Sequence, residues 1–174
     1  MSQTKSMRTI LKVAASVVLG AVFAYAQQPT FHDQLLDQMA GNWLLQGTIA
    51  GKETTHDIVA EWVLGHQYLR IHEVSREKDT HGQPDYEAMV FVGWYQPSAE
   101  YVCAWLDTYG GMDDTTIGHA KRDGNEIHFH FKGKDGVFHT RFIYYPEAQN
   151  WEWRMDSEEK GGMKSFLRAK LARK

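Results

Sequence analysis

Asp123-Gly-Asn-Glu-Ile-His-Phe-His-Phe-Lys-Gly-Lys-Asp-Gly136 is the stretch on which the fold turns. Asp-Gly, present at both ends, suits a tight hairpin because glycine takes positive φ without steric cost. Between the turns Ile127, Phe129 and Phe131 alternate with Glu126, His128, His130 and Lys132. A period of two puts the two sets on opposite faces of a strand. The stretch therefore reads as the strand shared by two consecutive hairpins, apolar on one face and polar on the other.

The same punctuation continues outward. Strands are expected at 42–50, 53–63, 67–77, 85–95, 100–107 and 114–121, then at 125–132, 137–145, 149–156 and 164–172. Ala50-Gly51, His81-Gly-Gln-Pro84, Pro97, Gly110-Gly111, Pro146 and Gly161-Gly162 supply further breaks. Trp151, Trp153 and Met155 share one face, as do Tyr101, Cys103, Trp105 and Asp107; these aromatic faces should point inward. Strand 85–95 is apolar on both faces, which leaves its orientation open. Ten short strands in series predict an all-β, antiparallel up-and-down meander. Closure into a barrel removes the unpaired edges; a two-sheet sandwich is the competing arrangement. Ahead of the strands, Phe31, Leu35 and Met39 recur every four residues. That spacing predicts a short N-terminal helix, capped by Thr30, with Asp33 in its first turn and Gly41 at its end.

The composition agrees with one globular domain. The 174 residues are 43% apolar and 13% aromatic, which excludes collagen-like, low-complexity and wholly disordered chains. Lys5, Arg8 and Lys12 precede an apolar run of 14 residues, Val13 to Ala26, ending in Ala24-Tyr25-Ala26. The run is too short to span a bilayer, which takes roughly 20 residues. Basic start, apolar middle and small-x-small end read as a secretory signal over 1–26. A single β-barrel domain over 27–174 is expected, exported to the periplasm or beyond. Removing three of the 19 cations leaves 16 against 22 anions, a net charge of −6. That balance argues against nucleic acid and, after signal removal, against anionic membrane surfaces as partners. Cys103 is the sole cysteine and lies in an apolar run, so a buried, inert thiol is expected.

Gly41-Asn42-Trp43, after a short helix, resembles the G-x-W opening of lipocalin-like (calycin) barrels. In those barrels the helix closes one end and the tryptophan packs beneath an arginine from a late strand. The resemblance implies that role for Arg173, with Arg168 as the second choice. More of the chain is similar to the bacterial family of domains of unknown function numbered 1579. The likeness rests on Met39-Ala-Gly-Asn-Trp43, Glu61-Trp-Val-Leu-Gly-His-Gln-Tyr-Leu69, Phe91-Val-Gly-Trp-Tyr95, Trp105-Leu-Asp107, Thr108-Tyr-Gly-Gly111 and the ending Leu171-Ala-Arg-Lys174. It covers roughly 33–174 and implies a lipocalin-like barrel, with no established activity to carry over. Nitrobindin-type haem barrels open with a longer glycine run. The present run, Gly41-Asn-Trp-Leu-Leu-Gln-Gly47, departs from it, and no histidine lies beyond His139. No cofactor is therefore expected.

Motifs of metalloproteases, serine hydrolases and nucleotide-binding loops are absent. His119, His128 and His130 are the candidate metal ligands, because a hairpin at Asp123-Gly124 sets His119 opposite His128. They share a face with Glu126 and Lys132, so the favoured reading is a solvated histidine face without metal. Asp113-Asp114 reads as a solvated loop. Arg70, His72 and Arg141 are polar residues in apolar strands whose direction stays open. The leading expectation is a cavity for a small, largely apolar ligand, lined by Trp105, Phe129, Phe131, Phe142, Trp151 and Trp153, with Asp107 as a polar anchor. One alternative is an enzyme in the same cavity, pairing Asp107 with a histidine such as His119. Another is a filled structural barrel, with Met89 to Trp94 as a homodimer surface.

Overall fold

The computed structural model describes residues 30–111, 114–134 and 136–174. The expected signal segment, Asp113 and Asp135 lie outside the described residues. Among the described residues, ten strands form a closed barrel: β1 (Gly41–Ile49), β2 (Lys52–Val63), β3 (Tyr68–Ser75), β4 (Glu87–Tyr95), β5 (Glu100–Asp107), β6 (Ile117–Asp123), β7 (Glu126–Gly133), β8 (Gly136–Tyr145), β9 (Asn150–Glu159) and β10 (Gly162–Arg173). Each strand pairs antiparallel with its neighbour in sequence, and β1 pairs with β10 to close the ring. The architecture is the up-and-down barrel rather than the sandwich. Closure fits the polarity pattern, since each strand has one apolar face to bury and no strand is left with an open edge.

Several boundaries differ from expectation, those of the helix and of β6 with structural consequences. The helix α1 (Gln34–Met39) begins three residues after Phe31. The Asp33 carboxylate, not Thr30, caps it, accepting from the amides of Leu35 and Leu36 at 2.8 and 2.9 Å. Phe31 is freed from the helix and packs against Trp62, Trp94 and Tyr101. Residues 114–116 form a 3-10 turn, so β6 starts only at Ile117.

Inward and outward sets follow the period of two. Trp43 and Leu45, Ile58 and Ala60, Leu69 and Ile71, and Ala88, Val90 and Val92 are buried. The inward set of β4 is thus the Ala88 set, while Met89 and Phe91 are half-buried on the outer face. Tyr68 lies over Gly93, where a Cβ would come within 2.7 Å of the ring. Arg70, His72 and Arg141 point outward, paired with Glu61, Glu87 and Glu126.

α1 closes the barrel end that holds the start of β1. Trp43 Nε1 donates to Met39 O at 2.7 Å, and the Arg173 guanidinium lies 4.3 Å from the Trp43 ring centre. Arg173 also donates to the carbonyls of Ala40 and Gln38. Gly41 permits this approach, because a Cβ there would sit 2.5 Å from an Arg173 nitrogen. The Tyr101 hydroxyl donates to Asp33, and Trp62 Nε1 donates to Asp37. Above this plug the core is aromatic: Phe142 and Trp153 are stacked register partners, with Phe129 edge-on to Phe142.

Candidate functional site

The barrel is open at the end opposite α1. A cavity of about 890 Å³ lies there, formed by the last inward residues of β1, β3, β5, β7 and β9 and the first of β2, β8 and β10. Ile49, Phe131, Phe138, Met155, Phe166 and Leu167 make one apolar wall, and Trp105 and Tyr86 extend it. Gly118 shapes this wall: it is the register partner of Phe131, whose ring lies where a Cβ would be, 2.6 Å from the ring tip. The size falls within the usual range for small-molecule pockets, about 300–1,000 Å³.

The opposite wall is polar and largely buried. His56 and Glu73 project inward from β2 and β3, with His56 Nδ1 2.5 Å from Glu73 Oε1 and side chains only 2% exposed. Thr54 Oγ1 lies 2.7 Å from His56 Nε2 and donates to Glu77 Oε2 at 3.0 Å. All three contacts are satisfied together only when the imidazole carries both protons or Glu73 carries one. The second Glu73 oxygen, Oε2, is buried and has no hydrogen-bond partner among the described residues. A buried carboxylate oxygen left unpaired costs free energy, which is recovered when a donor reaches it.

A second chain of hydrogen bonds borders the first. Trp105 Nε1 donates to the Tyr86 hydroxyl at 2.9 Å, and that hydroxyl donates to Asp107 Oδ2 at 3.4 Å. The other Asp107 oxygen accepts from the Tyr109 amide at 3.0 Å, closing the turn after β5. Burial, and then the charge of Glu73, push the Tyr86 phenol well above its ordinary range, so it stays a donor. The Tyr86 ring is also stacked on His56, 5.7 Å between centroids.

Of the expected lining residues, Trp105, Asp107 and Phe131 border this cavity. Phe129, Phe142, Trp151 and Trp153 do not; they are fully buried in the packed core nearer the plug. Alternation selects the inward face but not the depth along the barrel axis, so all inward aromatics looked alike. The pairing of Asp107 with His119 is likewise corrected. His119 is on the outer wall of β6 with its ring on Glu100, 2.9 Å away. The histidine facing the cavity is His56. It shares inward parity with Ile58 and Ala60, just as Glu73 does with Leu69 and Ile71. Those buried polar residues within apolar sets were the signal available in the sequence.

The outer wall gathers a different histidine set. The hairpin turn is Gly124-Asn125, so His119 pairs with His130 rather than His128. His139 on β8 then takes the third place beside His128 and His130. Burial, and then the neighbouring His130 and Arg141, push the His128 imidazole down to about 4. Cys103 is buried, and that burial alone raises its thiol far above the ordinary value.

No protein-family model matches the chain, and no curated protein matches it.

Proposed function

We propose that the chain is an exported, lipocalin-like binding protein for a small, largely apolar molecule with one hydrogen-bond-donating polar end. We extend the proposal to membership of the family of domains of unknown function numbered 1579, on the ordered motifs from Met39 to Lys174. One observation carries the binding reading: a cavity of about 890 Å³ with an apolar wall facing a buried carboxylate whose Oε2 is unpaired. The apolar body packs on Phe131, Phe138, Met155 and Leu167. The polar end donates to the unpaired Oε2 of Glu73.

The test is native mass spectrometry of the secreted protein, followed by denaturation and an absorption spectrum. A reproducible extra mass, lost on denaturation and on replacing Glu73→Gln, is the expected result. A bare mass, together with no shift in tryptophan emission across a panel of apolar alcohols and amines, would overturn the reading.

The His56–Glu73 pair with Thr54 also supports a second reading, an enzyme acting on a molecule held in this mouth. A carboxylate that holds one imidazole nitrogen sets the other as an acid or base. Turnover of the molecule identified by mass spectrometry, lost in His56→Gln while binding persists, distinguishes the two readings.

A further inference from the structure

We propose that His128, His130 and His139 form a binding site for one divalent transition-metal ion of zinc type on the outer wall of the barrel, with Glu158 as a positioning residue. This site is separate from the cavity: its side chains leave the opposite face of β7 and β8 from Phe129, Phe131, Thr140 and Phe142.

The strand register builds it. His130 and His139 are direct partners across β7 and β8, and His128 is diagonal to His139 on the same face. One nitrogen from each ring lies within 4.8 Å of the other two. The His128 Nε2 to His139 Nδ1 separation is 3.0 Å. Neighbouring ligands of tetrahedral zinc, with bonds of about 2.0–2.1 Å, stand about 3.3 Å apart. Two nitrogens are therefore near ligand spacing already, and the third needs a shift of about 1.5 Å at most.

The nitrogen of His139 that faces away from His128 is held by Glu158, Nε2 to Oε1 at 3.1 Å. A carboxylate behind a ligating imidazole fixes its tautomer and raises its basicity, the usual arrangement outside a metal's first ring of ligands. His139 is 8% exposed although it lies on the outer wall, because the neighbouring side chains cover it. Among the nearby charges, Arg141 faces Glu126 at 3.6 Å and Asp156 is held by Arg168 at 2.5 Å, while Lys121 and Lys132 border the same groove as His128 and His130. His128 and His130 also wall a surface groove shared with Glu100, His119 and Glu126, so a fourth coordination position opens to solvent. Three imidazoles without carboxylate in the set favour zinc, copper(II) or nickel over magnesium or calcium.

The test uses the full chain, purified without an affinity histidine tag and stripped with a chelator. Zn2+ is titrated by equilibrium dialysis, and Co2+ is followed by its visible absorption. The expected result is one ion per chain. His128→Ala and His130→Ala should each weaken binding about 100-fold, and Glu158→Gln about 10- to 100-fold. The Glu158→Gln variant should keep the Co2+ band shape, and Glu158→Asp should recover part of the affinity. His119→Ala should bind as the unaltered chain does. Both tested rings are half-exposed, so the variants should fold; where His128→Ala does not, His130→Gln decides. Absence of stoichiometric binding, binding indifferent to His128 and His130, or equal loss in His119→Ala overturns the proposal.

Discussion

Arg173 and Trp43 are bound twice over: they are register partners across the β1–β10 seam, and the guanidinium stacks on the indole at 4.3 Å. The seam joins the two ends of the meander, so its pairing has the largest sequence separation in the sheet. Side-chain contacts that favour this pairing stabilise closure itself. The same arginine satisfies the carbonyls of Gln38 and Ala40, which α1 leaves open at its C-terminal end.

Replacing Arg173→Ala removes the stacking and both hydrogen bonds. A stacked cation contributes about 0.5–2 kcal/mol and each hydrogen bond about 1 kcal/mol. A loss of about 2–3 kcal/mol is expected in urea unfolding. Arg173→Lys should recover only a minor part, since an ammonium cannot stack and bridge two carbonyls at once. A loss below about 0.5 kcal/mol would show that the seam closes without this contact.

Gly47 lies on β1 where β10 passes close inside the barrel. A Cβ there would overlap the Arg168 carbonyl oxygen and lie 2.5 Å from Ala169 Cα. Both obstacles are backbone or its first carbon, which cannot swing aside. Gly47→Ala should therefore cost about 2 kcal/mol or more. Gly161→Ala, where a Cβ meets open space, should change the midpoint little.

Cys103 should not react with a thiol reagent in the native protein. Its side chain is buried and its thiolate is disfavoured by desolvation. Labelling should rise to one thiol per chain on denaturation, at a rate that follows unfolding. Rapid labelling of the folded protein would contradict the inward direction of β5.

Asp57 ties the outer face of β2 to Arg76 and to the Lys174 ammonium at the chain end. Those two cations, chiefly through hydrogen bonds, hold its carboxyl down to about 2 from an ordinary 3.8. The folded value is the lower one, so the stabilisation is present above about pH 4 and is lost as pH falls towards 2. The carboxylate is 40% exposed, so solvent limits the effect to below about 1 kcal/mol. Asp57→Asn should flatten the acid limb of the stability profile between pH 4 and 2 and leave its pH dependence near neutrality unchanged.

Alternation and turn chemistry make the barrel legible in the sequence. Every expected strand has its counterpart, because each Gly or Pro break coincides with a real turn and each apolar set needs one buried face. Arg173 over Trp43 was also legible, from the G-x-W opening and the closing Leu171-Ala-Arg-Lys174. The candidate site was less so. Trp105, Asp107 and Phe131 were readable from inward parity, whereas Phe129 and Trp153, of the same parity, belong to the core.

Local rules, acting over two to four residues, therefore account for the strands, their inward faces and the helix that stops one end. Depth and partnership belong to the closed barrel. His56 meets Glu73 across β2 and β3, 17 residues apart in sequence. His139 rather than His119 joins His128 and His130, because the turn is Gly124-Asn125 and β8 returns along β7. A shift of one residue at a hairpin changes which side chains stand opposite, and no property of the separate strands sets that shift. Turn geometry and the packing of all ten strands around one core do.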